Sequence, residues 1–150
     1  MDVVELLEKE GVAFERSDHQ LAFTARQLAS AEHVPPRNVA KPVLVKSDGK
    51  FTLCVLPASR QLDLGAVADC LCADHVRLAF EEELVEVFSG CEVGAEPPIG
   101  VLFGLRTLVD YSLMDDDYVV FQAGSHSQSI RMRGADFDRV ADPMYGNIAL

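Results

Sequence analysis

The stretch AKPVLVKSDGKFTLCVLP, residues 40–57, sets two apolar runs on either side of Ser47-Asp48-Gly49. Both runs are rich in valine and leucine, and a turn-forming triplet between such runs reads as a β-hairpin. Pro42 lies near the start of the first strand, where a missing N–H donor does least harm to a ladder. Upstream, residues 2–10 place Val3, Leu6 and Leu7 on one face and meet Gly11, which predicts a helix and its stop. Residues 12–16 (VAFER) alternate like a strand. Thr24 with Gln27 three residues on is a capping box, and VPPRN ends the helix that follows it. Downstream, LDLGAVADCLC reads as a helix, VRLA as a short strand and EEELVEVF as a helix with acids in its first turn, which suits the helix dipole. GVLFG, TLVDYSL, DYVVFQAG and SQSIRMR read as strands. GADFDRVA reads as a last helix, ended by Asp142-Pro143. Helices and strands mix without strict βαβ alternation. The expected fold is therefore α/β of the α+β type, a mixed sheet or partly closed barrel with helices around it. With no repeat and no long linker, residues 1–150 are expected to form a single domain.

Composition narrows the function. No run of eighteen apolar residues exists, so no membrane span is expected. The opening Met1-Asp2-Val3-Val4-Glu5 is acidic and lacks the order of a signal peptide, which suggests a cytoplasmic protein. Cys54, Cys70, Cys72 and Cys91 form no C-x-x-C pair, and His19, His33, His75 and His126 show no metal spacing. The cysteines are expected to be free buried thiols, and no metal or cofactor is called for. Asp115-Asp116-Asp117 reads as an exposed acidic turn. The formal net charge of −11 argues against broad affinity for nucleic acid. Residues 31–60 are the exception: Arg37, Lys41, Lys46, Lys50 and Arg60 stand against Glu32 and Asp48. An acidic body with one basic strip is the result.

Three places carry chemistry. Lys41 opens an apolar strand between Val39-Ala40 and Val43; it either snorkels to solvent or points into a cleft as an electrostatic clamp. CEVGAEPPIG, residues 91–100, packs glycines and prolines into a stiff, bare loop. It is either a plain corner or a rigid cradle whose amides hold a water or a developing oxyanion. AGSHS, residues 123–127, is either a turn with a solvated histidine or a group of amides beside an acid, base or binding residue. There is no G-x-S-x-G elbow, no Walker loop, no G-x-G-x-x-G and no cysteine with an adjacent histidine.

FTARQLA, VAKPVLVKSDG, VLPASRQLDL, VRLA, GCEVGAEPPIG, LVDYSL and FQAGSHSQSIRM, in that order, resemble the YbaK/EbsC family. This family includes free-standing relatives of the editing domain inserted in bacterial prolyl-tRNA synthetase. The resemblance runs from about His19 to Pro143. It implies a mixed, mostly antiparallel, barrel-like sheet surrounded by helices. It implies trans-editing: hydrolysis of the ester joining a wrong amino acid to the 3′ end of a transfer RNA. The family's lysine falls on Lys41 and its G-x-x-x-P loop on Gly94 to Pro98, giving Lys41, Gly94 and Pro98 as catalytic positions. Ala95, Pro97, Gly124, Ser125 and His126 would bind substrate. The partner implied is the acceptor end of aminoacyl-tRNA, with an aminoacyl-tRNA synthetase as a further candidate and a monomer or weak dimer as the working state. Pro42 follows the lysine where several relatives carry a polar residue that touches substrate, so their amino-acid specificity does not transfer. The alternatives are a non-catalytic aminoacyl- or nucleotide-binding module of the same fold and a hydrolase for another small ester.

Overall fold

The structure is a computed structural model that describes residues 1–150. The hairpin organises it. Strand β2 (Ala40–Ser47) pairs antiparallel with β3 (Lys50–Pro57), with Ser47 opposite Lys50. Asp48 and Gly49 form the two-residue turn with φ of 47° and 84°. Positive φ at both positions matches the right-handed twist of the strands, and glycine takes it without steric cost. Strand β4 (Val76–Leu78) adds antiparallel to β2, and β5 (Arg106–Asp110) adds parallel to β3. Strand β8 (Met144–Gly146) closes the far edge parallel to β5, giving the order β4-β2-β3-β5-β8. A second, antiparallel sheet has the order β1 (Phe14–Asp18), β7 (Gln128–Arg133), β6 (Tyr118–Gln122).

The α+β class and the mostly antiparallel pairing agree with expectation: four of the six strand pairings are antiparallel. The sheet does not close into a barrel. The two sheets meet through one isolated bridge, Val39 to Val120, because no ladder continues between β2 and β6. Two strand expectations also change. GVLFG forms a 3-10 turn at Gly100–Phe103, and TLVDYSL is strand only to Asp110 before a 3-10 turn at Tyr111–Asp115. Asp116 of the acidic turn pairs with Arg37 at 3.3 Å.

Both faces of the hairpin are covered, which explains its nearly unbroken apolar sequence. Leu44, Leu53 and Val55 face a core shared with Leu7 of helix α1 (Val3–Lys9), with Phe121 and with Phe137 of a later helix, Gly134–Ala141. Val45 and Cys54 face the other way, onto Val67 of a helix at Leu64–Leu71. All four cysteines are free, but Cys70 and Cys72 are exposed, because they lie on and after the solvent side of that helix. Burial pushes the Cys54 thiol up to about 12. Helix α2 (Ala25–Ala31) sits over Val39, Ala58 and Val120, where the two sheets meet. Its start is capped as predicted: Gln27 N–H donates to Thr24 Oγ1 at 3.1 Å, and Gln27 Oε1 accepts from Phe23 N–H at 2.7 Å.

The end of β5 carries a buried carboxylate. Asp110 is 2% exposed and accepts from the N–H groups of Ile148 (2.8 Å), Ala149 (3.1 Å) and Ser112 (3.1 Å), and from the Ser112 hydroxyl. Arg60 pairs with it at 3.3 Å and also donates to the carbonyls of Ala149 and Leu150. Burial pushes the Asp110 carboxyl up, but the Ser112 and Ile148 hydrogen bonds and the Arg60 charge outweigh it and hold the group below its ordinary range. A carboxyl lowered by folding adds stability above its unfolded value of about 3.9 and loses it as pH falls through the lower folded value. Acid unfolding is therefore expected to release the C-terminal segment below about pH 4, observable as amide exchange at Ile148 and Ala149. Asp110→Ala leaves buried donors unpaired and is expected to cost about 3 kcal/mol. In a chain of this size that is a fall in Tm of roughly 6–12 °C by calorimetry.

Candidate functional site

The hairpin start, the entry to α2 and the glycine-proline loop converge on one pocket of about 220 Å³. Phe23, Thr24 and Leu28 line it from the α2 side, Ala40, Lys41 and Pro42 from β2, Gly94 and Glu96 from the loop, and Gln122 from the end of β6. Lys41 is half-buried, and its ammonium donates to the Arg60 carbonyl at 2.7 Å. An ammonium has three donors, so two remain for a ligand. Burial pushes the Lys41 pKa down, and the positive charge of Arg26 on α2 adds to the shift. The cleft reading of Lys41 is the one that matches this geometry, since the snorkelling alternative would leave the head in solvent.

The loop is a wall of the pocket, and it is tied to the AGSHS turn. Glu92 N–H donates to the Gly124 carbonyl at 2.9 Å, and Gly124 N–H donates to the Ala95 carbonyl at 2.8 Å. Ala95, Pro97 and Pro98 are buried. Gly94 has φ +88°, and a Cβ there would stand 3.5 Å from His126 Cε1. The loop amides are already engaged: Gly94 N–H donates to Glu96 Oε2 at 3.0 Å and Ala95 N–H to the Glu92 carbonyl at 3.0 Å. Proline has no N–H, so Pro97 and Pro98 add no donor. Two of the loop amides are therefore engaged within the loop, and Lys41 is the cationic donor of the pocket.

His126 is buried and not the solvated turn histidine of the bland alternative. Its Nε2 lies 2.8 Å from the Val93 carbonyl and its Nδ1 3.1 Å from the Ala22 carbonyl. Its ring packs at 4.8 Å from that of Phe23. His126 therefore clamps the loop to the segment before α2 and supports the pocket from behind. Ser125 Oγ accepts from Ser127 N–H at 3.2 Å, inside the turn. So Lys41, Gly94 and Glu96 come together in the pocket, whereas Ala95, Pro97 and Pro98 do not line it and Gly124, Ser125 and His126 stand behind the loop.

Three residues of the site lay outside the sequence expectation. Glu96 is 7% exposed, and burial pushes its carboxyl up against the pull of the Glu96 and Gly94 amides and the His126 charge. Gln122 is 7% exposed, and its Oε1 has no hydrogen-bond partner. Arg26 brings positive charge close to Lys41. The signal for Glu96 was a carboxylate between glycine and two prolines, and for Gln122 a polar residue ending an apolar strand. The basic strip, in turn, is largely paired internally: Arg60 with Asp110, Lys46 with Glu83 at 3.6 Å and Arg37 with Asp116. A larger depression of about 950 Å³, lined by Tyr111, Arg131, Arg133 and Tyr145 among others, contains none of the loop residues.

The fold has counterparts among known proteins. The family model described as "Aminoacyl-tRNA editing domain" matches residues 19–140. The "Multifunctional Ser/Thr-tRNA deacylase ProXp-y" of Escherichia coli (strain K12) is 27% identical over 146 residues, covering 94% of this chain and 87% of that protein. A proline–tRNA ligase of Halalkalibacterium halodurans is 33% identical over 92 residues, which is 61% of this chain and 16% of the ligase. Among solved structures, one described as a proposed trans-editing enzyme for prolyl tRNA synthetase superposes with a TM-score of 0.87 at 20% identity, over 99% of this chain and 94% of that one. The hypothetical protein APE2540 superposes with a TM-score of 0.89 at 19% identity, over 99% of both chains. With the matched region holding the pocket lysine, the glycine-proline loop and the turn behind it, the chain belongs to the aminoacyl-tRNA editing domain family.

Proposed function

We propose that the 150 residues act as one trans-editing domain in the cytoplasm, hydrolysing the 3′ ester of mischarged aminoacyl-tRNA. The observation that carries this is the meeting of the Lys41 ammonium and Gly94 in one small pocket within the matched family region. No serine or cysteine lines the pocket, and in this reading water is the attacking group. Ester hydrolysis then needs relief of negative charge on the carbonyl oxygen. Lys41 has two free donors for that charge or for a phosphate of the terminal adenosine, and Arg26 beside it adds to the positive field. Gly94 lets the acyl group approach the loop closely, and Pro97 and Pro98 hold the wall stiff. Ala95, Gly124, Ser125 and His126 keep that wall in place. A ribose hydroxyl of the substrate takes part in moving the proton, as the family resemblance implies. Contact is confined to the acceptor end, which suits a chain with net charge −11. A synthetase is the natural source of the mischarged substrate, and the domain works as a monomer or weak dimer.

Release of amino acid from a panel of transfer RNAs mischarged with alanine, serine, threonine and cysteine tests the hydrolysis. Wild type is expected to discharge at least one, and Lys41→Ala to lower that rate by about 100-fold or more, the size of one lost oxyanion donor, with an unchanged fold by circular dichroism. Turnover unaffected in Lys41→Ala would remove the assigned role. A flat panel with binding intact would favour the non-catalytic module. Gly94→Val forces a branched side chain into left-handed backbone and against His126, at a cost of roughly 1–3 kcal/mol. It is expected to lose most turnover as well as stability, and a fully active variant would reduce the loop to a corner.

A further inference from the structure

The pocket holds two buried acceptors that its own cation, Lys41, does not engage. Glu96 is 7% exposed, and no lysine or arginine is among the charges that act on it. Its Oε2 accepts from Gly94 N–H at 3.0 Å, which fixes the carboxylate in the wall. Gln122 is equally buried. Its Nε2 donates to the Ala22 carbonyl at 2.8 Å, and that bond aims the amide while leaving Oε1 without a partner. Both residues line the same 220 Å³ pocket. The nearby ammonium of Lys41 is turned to the Arg60 carbonyl. A buried carboxylate without a lysine or arginine partner and an amide oxygen without a donor are each costly, and a bound ligand is one reason for a protein to keep such groups.

The chemistry of a group that both acceptors would bind follows from their own. It must be small, positively charged and able to donate more than one hydrogen bond. A side-chain hydroxyl has one donor and no charge, whereas an ammonium has three donors and a charge. We propose that Glu96 and the Gln122 side-chain carbonyl together bind the α-ammonium of the aminoacyl group. This rests on the editing reading of the same pocket and deepens it. The domain then requires a free α-amino group. Esters whose nitrogen is acylated, peptidyl esters included, and α-hydroxyacyl esters bring an uncharged group to the two acceptors and are left intact.

Glu96 is a binding group in this scheme, held at a cost to the fold. A carboxyl whose folded pKa is raised loses stability as pH rises from its unfolded value through the folded one. Glu96→Gln keeps an acceptor for Gly94 N–H and removes the charge. It is expected to melt above wild type at neutral pH, with the gap closing as pH falls below about 4.5, the ordinary value. A variant less stable than wild type at neutral pH would make Glu96 a structural brace of the loop and overturn the binding role.

The direct test uses two stable probes: 3′-amino-3′-deoxyadenosine carrying an alanyl amide, and the same nucleoside carrying a lactoyl amide. They differ only in ammonium against hydroxyl. Affinities are measured by calorimetry at about pH 6.5, below the usual α-amino range of about 7.7–8.0. Wild type is expected to bind the alanyl probe at least tenfold more tightly, and Glu96→Gln to bring the ratio near one without weakening the lactoyl probe. Equal affinities in wild type would overturn the proposal. Hydrolysis of alanyl and lactoyl esters at equal rates would overturn it too, and leave the deacylase function standing. Ammonium-selective binding by a protein that discharges no aminoacyl-tRNA would uphold it and remove the deacylase function instead.

Discussion

The buried carboxylate of Asp110 is the constraint on which the site depends. It gathers two amides of the C-terminal segment, the Ser112 amide and hydroxyl, and the Arg60 guanidinium at the end of the central sheet. Arg60 cannot then swing free, because three of its nitrogens are committed to Asp110, Ser112 and the last two carbonyls. Its own carbonyl receives the Lys41 ammonium. One chain of contacts thus runs from the C-terminus through Asp110 and Arg60 to the lysine of the pocket. Breaking a buried ion pair by removing one partner is costly, so the lysine's position is underwritten by the fold's own stability.

The opposite wall follows a different logic. The loop from Glu92 to Pro98 is pinned by backbone bonds to Gly124 and by the His126 ring set between two carbonyls. The Gly94 and Ala95 amides are engaged within it, and it presents shape and the Glu96 carboxylate. A stiff wall bearing an unpaired acid faces a half-buried lysine already aimed by Arg60. Such a pocket is arranged before a ligand arrives, and the ordering has been done during folding. The stability forgone at Glu96 and at Gln122 Oε1 is the usual mark of a site kept for binding.

Much of the fold was legible because local signals agreed with tertiary ones. The Asp48-Gly49 turn, the Thr24 cap and the apolar face of Val3, Leu6 and Leu7 each appear where the pattern placed them. The failures have physical causes. GVLFG is a short apolar run, and periodicity cannot tell such a run from a buried turn; the left-handed Gly104 and the bond from Gly100 N–H to Thr107 Oγ1 settle it as a 3-10 turn. Met144–Gly146 is a three-residue strand defined only by its register with β5, and nothing local announces it. Within the site, Lys41 and the loop stood out because their residue types are unusual for their surroundings. Glu96, Gln122 and Arg26 did not, since what matters about them is the absence or nearness of partners that only folding decides. The same cause misled the charge count: Arg60, Lys46 and Arg37 look like a basic strip in sequence and are ion-paired in space.

The central claim is that the aminoacyl end of the ligand sits between Lys41 and the Gly94–Pro98 loop, and not in the larger depression near Tyr111 and Tyr145. The most direct measurement is amide chemical-shift mapping with a non-hydrolysable 3′-aminoacylamino-adenosine. Shifts concentrated at Lys41, Gly94, Glu96 and Gln122, with Tyr111, Arg131 and Tyr145 silent, are the expected result. Shifts confined to the Tyr111 and Tyr145 side, with Lys41 and the loop unmoved, would contradict the account.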